Sequence, residues 1–400
     1  MAARRKAKRP PATIAPSDVV NGRAGEPRFG ADILPLHFHA PLNPAKIHPQ
    51  PWQNLPQPTG QPPFRLALES VLTSDQIRRI TSSGNMVFHT VGDTGGVNET
   101  TDIENVASAM EKDFSPATPE ANPAFFYHLG DVVYYQGQTK NYYAQFYEPY
   151  SRYPGPILAI PGNHDGDVDP TTGEKSLQAF VHNFCARAPI HTAEAEDAPR
   201  DAMTQPNVYW TLEAPLVTII GLYSNCPEGG QIRQDQIAWF ESELAAAPAN
   251  KALIVAVHHP IYSAYGAHPG SQHLKDVLEQ ACTKANRIPH AVLSGHVHNY
   301  QRFNGRLSGK PVPFFVAGAG GYNHRLHVLS NRIHKAKLPV QMPGSVGTLE
   351  SYCDQNHGYM RVEITEKQMT CKYFAVPDTG VTGARPLKPF DSLIIPLGLK

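Results

Sequence analysis

Five short apolar runs, each broken by a turn that carries a polar donor, constrain this 400-residue chain more than any other feature. MVFHTV runs into Gly92-Asp93, AFFYHL into Gly130-Asp131, PILAI into Pro161-Gly162-Asn163-His164, ALIVAV into His258-His259-Pro260, and HAVLS into Gly295-His296. Short runs rich in β-branched and aromatic residues and bounded by glycine read as buried strands. Amphipathic stretches lie between them. Ile103, Val106, Ala107, Met110 and Phe114 recur at helical spacing behind a Thr101-x-x-Glu104 capping box. Residues 231–247 (Ile232, Ile237, Phe240, Leu244) and 271–286 repeat the pattern, and LVTIIGL and PFFVAGAGG add two further strands. Strands alternating with such helices predict an α/β architecture.

The polar donors stand where α/β sheets hold their ligands, at the carboxyl ends of strands. They are Asp93, Asp131, Asn163, His258 and His296, with His298 on the same side of the chain as His296 because extended residues i and i+2 share a face. An isolated HxH pair is ordinarily solvated; five strand ends that all present metal-binding groups point to one shared metal site. Two carboxylates, an amide oxygen and three imidazoles exceed the four positions of a tetrahedral zinc, and no cysteine is among them. Mixed oxygen and nitrogen donors fit two ions of iron, manganese or zinc at higher coordination, with a carboxylate as the bridge. Two-metal sites with the ions roughly 3.5–4 Å apart are typically hydrolytic, so phosphate-ester hydrolysis is the leading chemistry.

Composition narrows the partners. Lys plus Arg and Asp plus Glu both number 35, so no global field favours nucleic acid or a membrane surface, and a small phosphorylated substrate must be attracted locally. Five cysteines, odd in number, widely spaced and without a CxxC, fit reduced thiols. Cys282 shares an apolar helical stripe with Leu274, Val277, Leu278 and Ala281 and reads as core. The basic start, MAARRKAKRPP, leads into no apolar segment, and no run is long enough to span a bilayer, so a cytoplasmic protein is expected. Residues 1–33 read as a disordered basic tail, 34–84 as a proline-rich extended arm with a lead-in helix, and 377–400 as a C-terminal tail. His37 and His39 imitate an HxH pair, but Pro35, Pro41 and Pro44 surround them, and they read as structural or solvated.

The ordered blocks GDTG (92–95), GDVVY (130–134), GNHD (162–165), VAVH (255–258) and GHVH (295–298) resemble the five motifs of calcineurin-like metallophosphoesterases. More narrowly, they resemble the purple acid phosphatase branch, over residues 85–376. Most of that superfamily reads D-x-H in the first block and GD-x-x-D or GD-x-x-N in the second. Here Gly95 stands at the histidine position and Tyr134 ends the second block, the double departure of the purple branch. The resemblance implies an α/β sandwich of two β-sheets flanked by helices, with a dimetal site at strand C-terminal ends. It implies a ferric ion on Asp93, Asp131, Tyr134 and His298, with Asp131 bridging to a divalent zinc, iron or manganese held also by Asn163, His258 and His296. Tyr135 competes for the phenolate role, but alternation along an extended segment turns it to the other side.

The activity so implied is acid-phosphatase-type hydrolysis of phosphate monoesters, with metal-bound hydroxide attacking phosphorus in line and His164 assisting as a catalytic residue. The alternatives are a phosphodiesterase, or a metal-loaded binding protein that does not hydrolyse. His259, the other catalytic candidate, is a second acid or a substrate contact, as against packing its turn. Asp165 orients a ligand or the catalytic histidine. Asn163 and His324 are candidate substrate contacts. The locally basic segment 323–337, within an insertion at 323–356, is expected as a lid or pocket wall. Asp167 and Asp169 lack the glutamate spacing of a calcium loop and read as a solvated turn. Arg302 suits either a phosphate or a carboxylate.

Overall fold

A computed structural model of the chain describes residues 55–399, apart from 98, 169–170, 226–228, 323–325, 343–346 and 381–386. The N-terminal tail, most of the arm with His37 and His39, and also Asp169, Cys226 and His324 lie outside the described residues. In chain order the first elements are β1 (Arg65–Ala67), α1 (Ser74–Ser83), β2 (Asn85–Val91), α2 (Thr101–Glu111), β3 (Pro123–His128), β4 (Ile157–Ala159), α3 (Asn163–Gly166), α4 (Gln178–Phe184), β5 (Trp210–Glu213) and β6 (Val217–Leu222). There follow α5 (Gln234–Ala246), β7 (Ala252–Val257), α6 (Gln272–Ala285), β8 (Ala291–Ser294), β9 (Tyr300–Leu307), β10 (Lys310–Ala317), α7 (Asn331–Lys335), β11 (Val340–Gln341), β12 (Thr348–Cys353), β13 (Gly358–Thr365), β14 (Gln368–Ala375) and β15 (Asp391–Pro396).

The strands form two mixed sheets, one of nine in the order β1-β5-β6-β7-β8-β10-β9-β12-β11 and one of six in the order β15-β14-β13-β2-β3-β4. Each has a parallel run: β6, β7 and β8 in the middle of the larger, β2, β3 and β4 at one side of the smaller. The five apolar runs are therefore split between the sheets, three in one and two in the other. Their continuous hydrophobicity has a direct cause. Ile219, Ile254, Leu293 and Phe315 face a core shared with Phe88, Phe125 and Tyr127 of the opposite sheet. Their neighbours Ile220, Val255, Val292 and Phe314 face a second core with Phe240 and Leu244 of α5 and Leu274 and Leu278 of α6. A strand covered on both faces cannot alternate apolar with polar.

Helix ends follow local chemistry. Thr73 caps α1 with a capping box to Gln76, and Gly84 closes it in the left-handed conformation at φ 61°. The capping box expected at Thr101 is not formed. Thr101 is already inside α2, Thr100 is the N-cap residue, and its hydroxyl bonds to the Glu104 carboxylate instead of to a backbone N–H. The stretch 377–400, expected as a tail, contains β15, which pairs with β14 and ends the six-stranded sheet. No helix among the described residues is long and apolar enough to cross a membrane.

Among the contacts that join the sheets, two lie near strand ends. Gly92 N–H donates to Ala317 O at 2.8 Å, tying the end of β2 to the end of β10. Asp391 on β15 accepts from Arg302 Nε at 2.7 Å, Arg302 Nη2 at 3.1 Å and Tyr300 Oη at 2.7 Å, all from β9. Arg302 is thus a partner of a carboxylate. Burial disfavours the Asp391 anion, but Arg302 and Tyr300 outweigh it and hold the carboxyl below its ordinary value. A depressed folded-state value means that stability is present above the unfolded carboxylate value, about 3.9, and is lost as pH falls through the lower folded value. Asp391→Asn should therefore cost about 2 kcal/mol near pH 7. In denaturant titrations the gap from the wild type should close in the acid range below pH about 4; a gap that does not change with pH would rule out the charged clamp.

Candidate metal centre

The site is built where the parallel strands of the two sheets end. Asp93 follows β2, Asp131 follows β3, Asn163 opens α3 just beyond β4, His258 follows β7, and His296 and His298 follow β8. The ends are stitched together by backbone: Asp93 N–H to Gly130 O at 2.9 Å, Gly295 N–H to His258 O at 3.0 Å, and Gly320 N–H to Gly92 O at 3.1 Å. Asp93, Asp131 and His296 all take left-handed backbone, at φ 58°, 54° and 68°. Side chains other than glycine adopt that region at a cost, and aspartate and histidine tolerate it better than most. Gly130, at φ +95°, has no alternative, since a Cβ there would lie 2.8 Å from His258 Nδ1 and 2.6 Å from Gly162 N.

Seven side chains converge. Tyr134 Oη lies 3.3 Å from Asp93 Oδ1, 3.2 Å from Asp131 Oδ2 and 3.4 Å from His298 Nε2. Asp131 Oδ2 is also 3.2 Å from His258 Nε2, and His296 Nδ1 is 3.0 Å from Asn163 Oδ1. One oxygen of Asp131 therefore faces both halves of the constellation. Its other oxygen is held by the His164 N–H at 2.9 Å, just as Asp93 Oδ2 is held by the His296 N–H at 2.8 Å. His258 Nδ1 donates to Leu129 O at 2.8 Å, which presents Nε2 to the centre.

The donor set fits metal ions. Asp93 and Asp131 are buried, and among the described residues no lysine or arginine contacts either of them. His258 Nε2 is buried 3.2 Å from Asp131 Oδ2; burial opposes its charge, but Asp131 and Asp93 outweigh it and raise the imidazole to about 10, so a metal bound there would take the place of that proton. One ligand atom each from Asp131, His258 and His296 lie within 4.8 Å of one another. Burial, then Asp131 and Asp93, push the Tyr134 phenol well above its ordinary value; a phenolate there requires a cation among the same atoms. Burial opposes the charge on Asp131, but His258 and His164 outweigh it and keep the carboxyl below the usual range. His296 is held well below its ordinary value by burial and by neighbouring imidazoles, which favours the neutral form that binds metals.

The surrounding candidates separate. His164 Nδ1 donates to Tyr135 O at 2.8 Å, and its ring lies 4.6 Å from that of Tyr134. His259 is buried with Nδ1 2.9 Å from Ser224 Oγ and its ring 4.3 Å from that of His296. Asp165 accepts from Gly162 N at 2.8 Å, Val132 N at 3.1 Å and Val133 N at 3.3 Å, so it pins the turns carrying Asn163 and Asp131. Burial, then Asp131, push its carboxyl up to about 7. Asp167 is buried, not solvated. Tyr135 does not point away. Residues 134–136 form a turn, so strand alternation does not apply, and its ring stays 6.1 Å from those of His164 and Tyr322. What distinguishes Tyr134 is that its hydroxyl reaches the carboxylates.

Sequence reasoning passed over four residues beside the centre. Tyr322 packs 4.1 Å from the Tyr134 ring, His268 lies 4.9 Å from the His296 ring, and His327 stacks on His298 with Tyr265 behind it. They lie in loops without periodicity. The one available signal was position, since His268 stands ten residues beyond His258 in the loop leaving the same strand end.

Two sheets meeting at strand ends around a buried constellation of carboxylate, amide, phenol and imidazole define a metal-binding α/β sandwich. A model of the family described as Calcineurin-like phosphoesterase matches residues 86–300, and the chain belongs to that family. Purple acid phosphatase 21 of Arabidopsis thaliana is 27% identical over 192 residues, 46% of this chain and 40% of that protein. Fe(3+)-Zn(2+) purple acid phosphatase 12 of the same plant is 27% identical over 230 residues, 55% of this chain and 44% of that protein. The chain thus spans less than half the length of these curated relatives. The structure of purple acid phosphatase PPD1 from yellow lupin (Lupinus luteus) seeds superposes with a TM-score of 0.53 at 14% identity, over 78% of this chain and 54% of that one, a likeness of fold.

Gly95 explains the missing histidine in steric terms. A Cβ at this position would lie 2.5 Å from Gln145 Oε1 and 2.9 Å from Tyr134 Cδ2. The Gln145 amide and the tyrosine ring together fill the space a side chain at 95 would need. Gly95→His should lower stability by about 1–3 kcal/mol and reduce bound metal, measured by thermal unfolding and metal analysis. A stable variant with full metal content would contradict this.

Proposed function

We propose that this chain hydrolyses phosphate monoesters at a dinuclear centre of ferric iron and a divalent zinc, iron or manganese. The observation that carries the reading is the Tyr134 hydroxyl set within 3.4 Å of Asp93, Asp131 and His298. Asp93, Asp131, Tyr134 and His298 would hold the ferric ion; Asp131, Asn163, His258 and His296 would hold its partner. When bound, such a pair supplies Lewis acidity and an activated water for in-line attack on phosphorus. The curated relatives' names, one of which carries Fe(3+)-Zn(2+), support the choice of ions.

The protein's own groups do the positioning. The Leu129 carbonyl fixes the His258 ring, and the His164 and His296 N–H groups fix the two carboxylates. With Nδ1 of His164 committed to Tyr135 O, Nε2 is the atom that would pass a proton to the leaving oxygen. Asn163 would also contact the phosphate, and His259, turned towards Ser224, would act as a lesser contact on the side of His296. His324 remains a proposed substrate contact from the sequence. A cytoplasmic setting belongs to the same proposal, since Cys185, Cys282, Cys353 and Cys371 are free thiols.

Colour and metal content test the ions. The protein should absorb in the visible, and Tyr134→Phe should abolish the band; a colourless protein holding only zinc or manganese would remove the ferric assignment. His164→Ala should keep its metal and lose about 10²–10⁴-fold in turnover of an aryl monoester. Faster turnover of an aryl diester would make the chain a phosphodiesterase, and release of phosphate from neither ester would remove the hydrolytic reading.

A further inference from the structure

We infer that His327 is a positioning residue for His298, and that the stretch carrying it is part of the centre itself and not a cover that opens over it. The inference rests on the dinuclear reading. The His327 ring lies flat on that of His298, with centroids 4.2 Å apart and planes 12° from parallel. His327 Nδ1 accepts the His298 N–H at 3.0 Å, and the His327 N–H donates to His298 O at 2.8 Å. Asn299 Nδ2 adds a bond to His327 O at 2.6 Å. Two backbone-directed bonds and a stacked ring thus bear on one candidate ligand from a residue 29 positions downstream.

The ring has little freedom to tilt. His327 is 2% exposed, and the rings of Tyr265 and His268 lie nearly parallel to it at 4.3 and 4.7 Å. The stretch beyond it is anchored as well. Leu329 N–H and His334 Nε2 both donate to Asp354 Oδ2 at 2.7 Å, and Leu329 and Ile333 enter the core behind the nine-stranded sheet. Because Nδ1 is the acceptor, a neutral His327 carries its proton on Nε2. The ring offers His298 a fixed acceptor and a flat wall, the kind of support that orients a metal ligand.

The test uses the full chain reconstituted with ferric iron and zinc, followed by visible absorption, iron release to a chelator, and kinetics on 4-nitrophenyl phosphate. His327→Phe keeps a flat ring but offers no acceptor to the His298 N–H. It should shift the visible band, release iron faster and lower kcat, each rate by about 10–100-fold, with KM moving less than about threefold. His327→Asn, whose side-chain oxygen restores an acceptor, should recover most of the band and of kcat. Asp354→Ala, which loosens the anchor without touching the stack, should also release iron faster, and it decides the matter if the Phe variant does not fold. Wild-type iron release and an unshifted band in His327→Phe, or wild-type release in Asp354→Ala where that variant must decide, overturn this inference alone. A wild-type protein that takes up neither metal overturns the dinuclear reading and this inference with it.

Discussion

Two carboxylates, Asp93 and Asp131, are buried at the meeting of two sheets with no lysine or arginine beside them among the described residues; the basic groups they face are the imidazoles of His258 and His298. Buried charges of this kind are too costly to keep without compensation, and the surrounding chain is arranged to compensate them. Backbone N–H groups of His164 and His296 take one oxygen of each carboxylate. The remaining oxygens are left to face a phenol and imidazoles. Three residues accept left-handed backbone so that these groups meet, and several glycines stand where any Cβ would collide with a neighbouring strand end. Strain and burial of this density are costs that bound cations would offset, because they would add positive charge where only imidazoles now face the carboxylates.

The sandwich serves this arrangement by bringing strand ends from different sheets to one place. Within either sheet, neighbouring parallel strands supply only part of the donors: Asp93, Asp131, Tyr134 and Asn163 follow strands of one, and His258, His296 and His298 follow strands of the other. The second sheet completes the set, and the Gly92–Ala317 backbone bond and the Asp391 clamp to Tyr300 and Arg302 hold the two sheets in register. The loops beyond the strands then close around the centre with aromatic and imidazole rings, among them Tyr322, His268 and His327. The environment near the candidate ligands is therefore rich in flat, buried rings, which exclude water and limit rotation of the groups they touch.

Much of this was legible in the residues. Asp93, Asp131, Asn163, His258, His296 and His298 each follow an apolar run at a turn, a pattern confined to about ten neighbouring residues, and the apolar runs were strands. The pairing of Gly95 with Tyr134 was visible as two departures from one motif set. The structure adds its steric reason, that the Tyr134 ring and the Gln145 amide occupy the space a side chain at 95 would need. Other readings failed where local pattern was ambiguous. Strand alternation was the wrong rule for Tyr135 because its segment is a turn. Adjacent threonines hid the true start of α2. Asp391 looked like part of a tail because nothing near it in the chain shows that Arg302 waits 89 residues away.

The sequence by itself determined the strands, the turns that end them and the chemical kinds of donor they present, since each depends on side chains a few residues apart. Only the tertiary structure decided which strands share a sheet and that one oxygen of Asp131 faces both halves of the site. It alone showed that Tyr134 Oη, not Tyr135, reaches the carboxylates, and that His327 braces His298. Those outcomes depend on how two sheets pack, and packing couples residues through space with no trace in local periodicity.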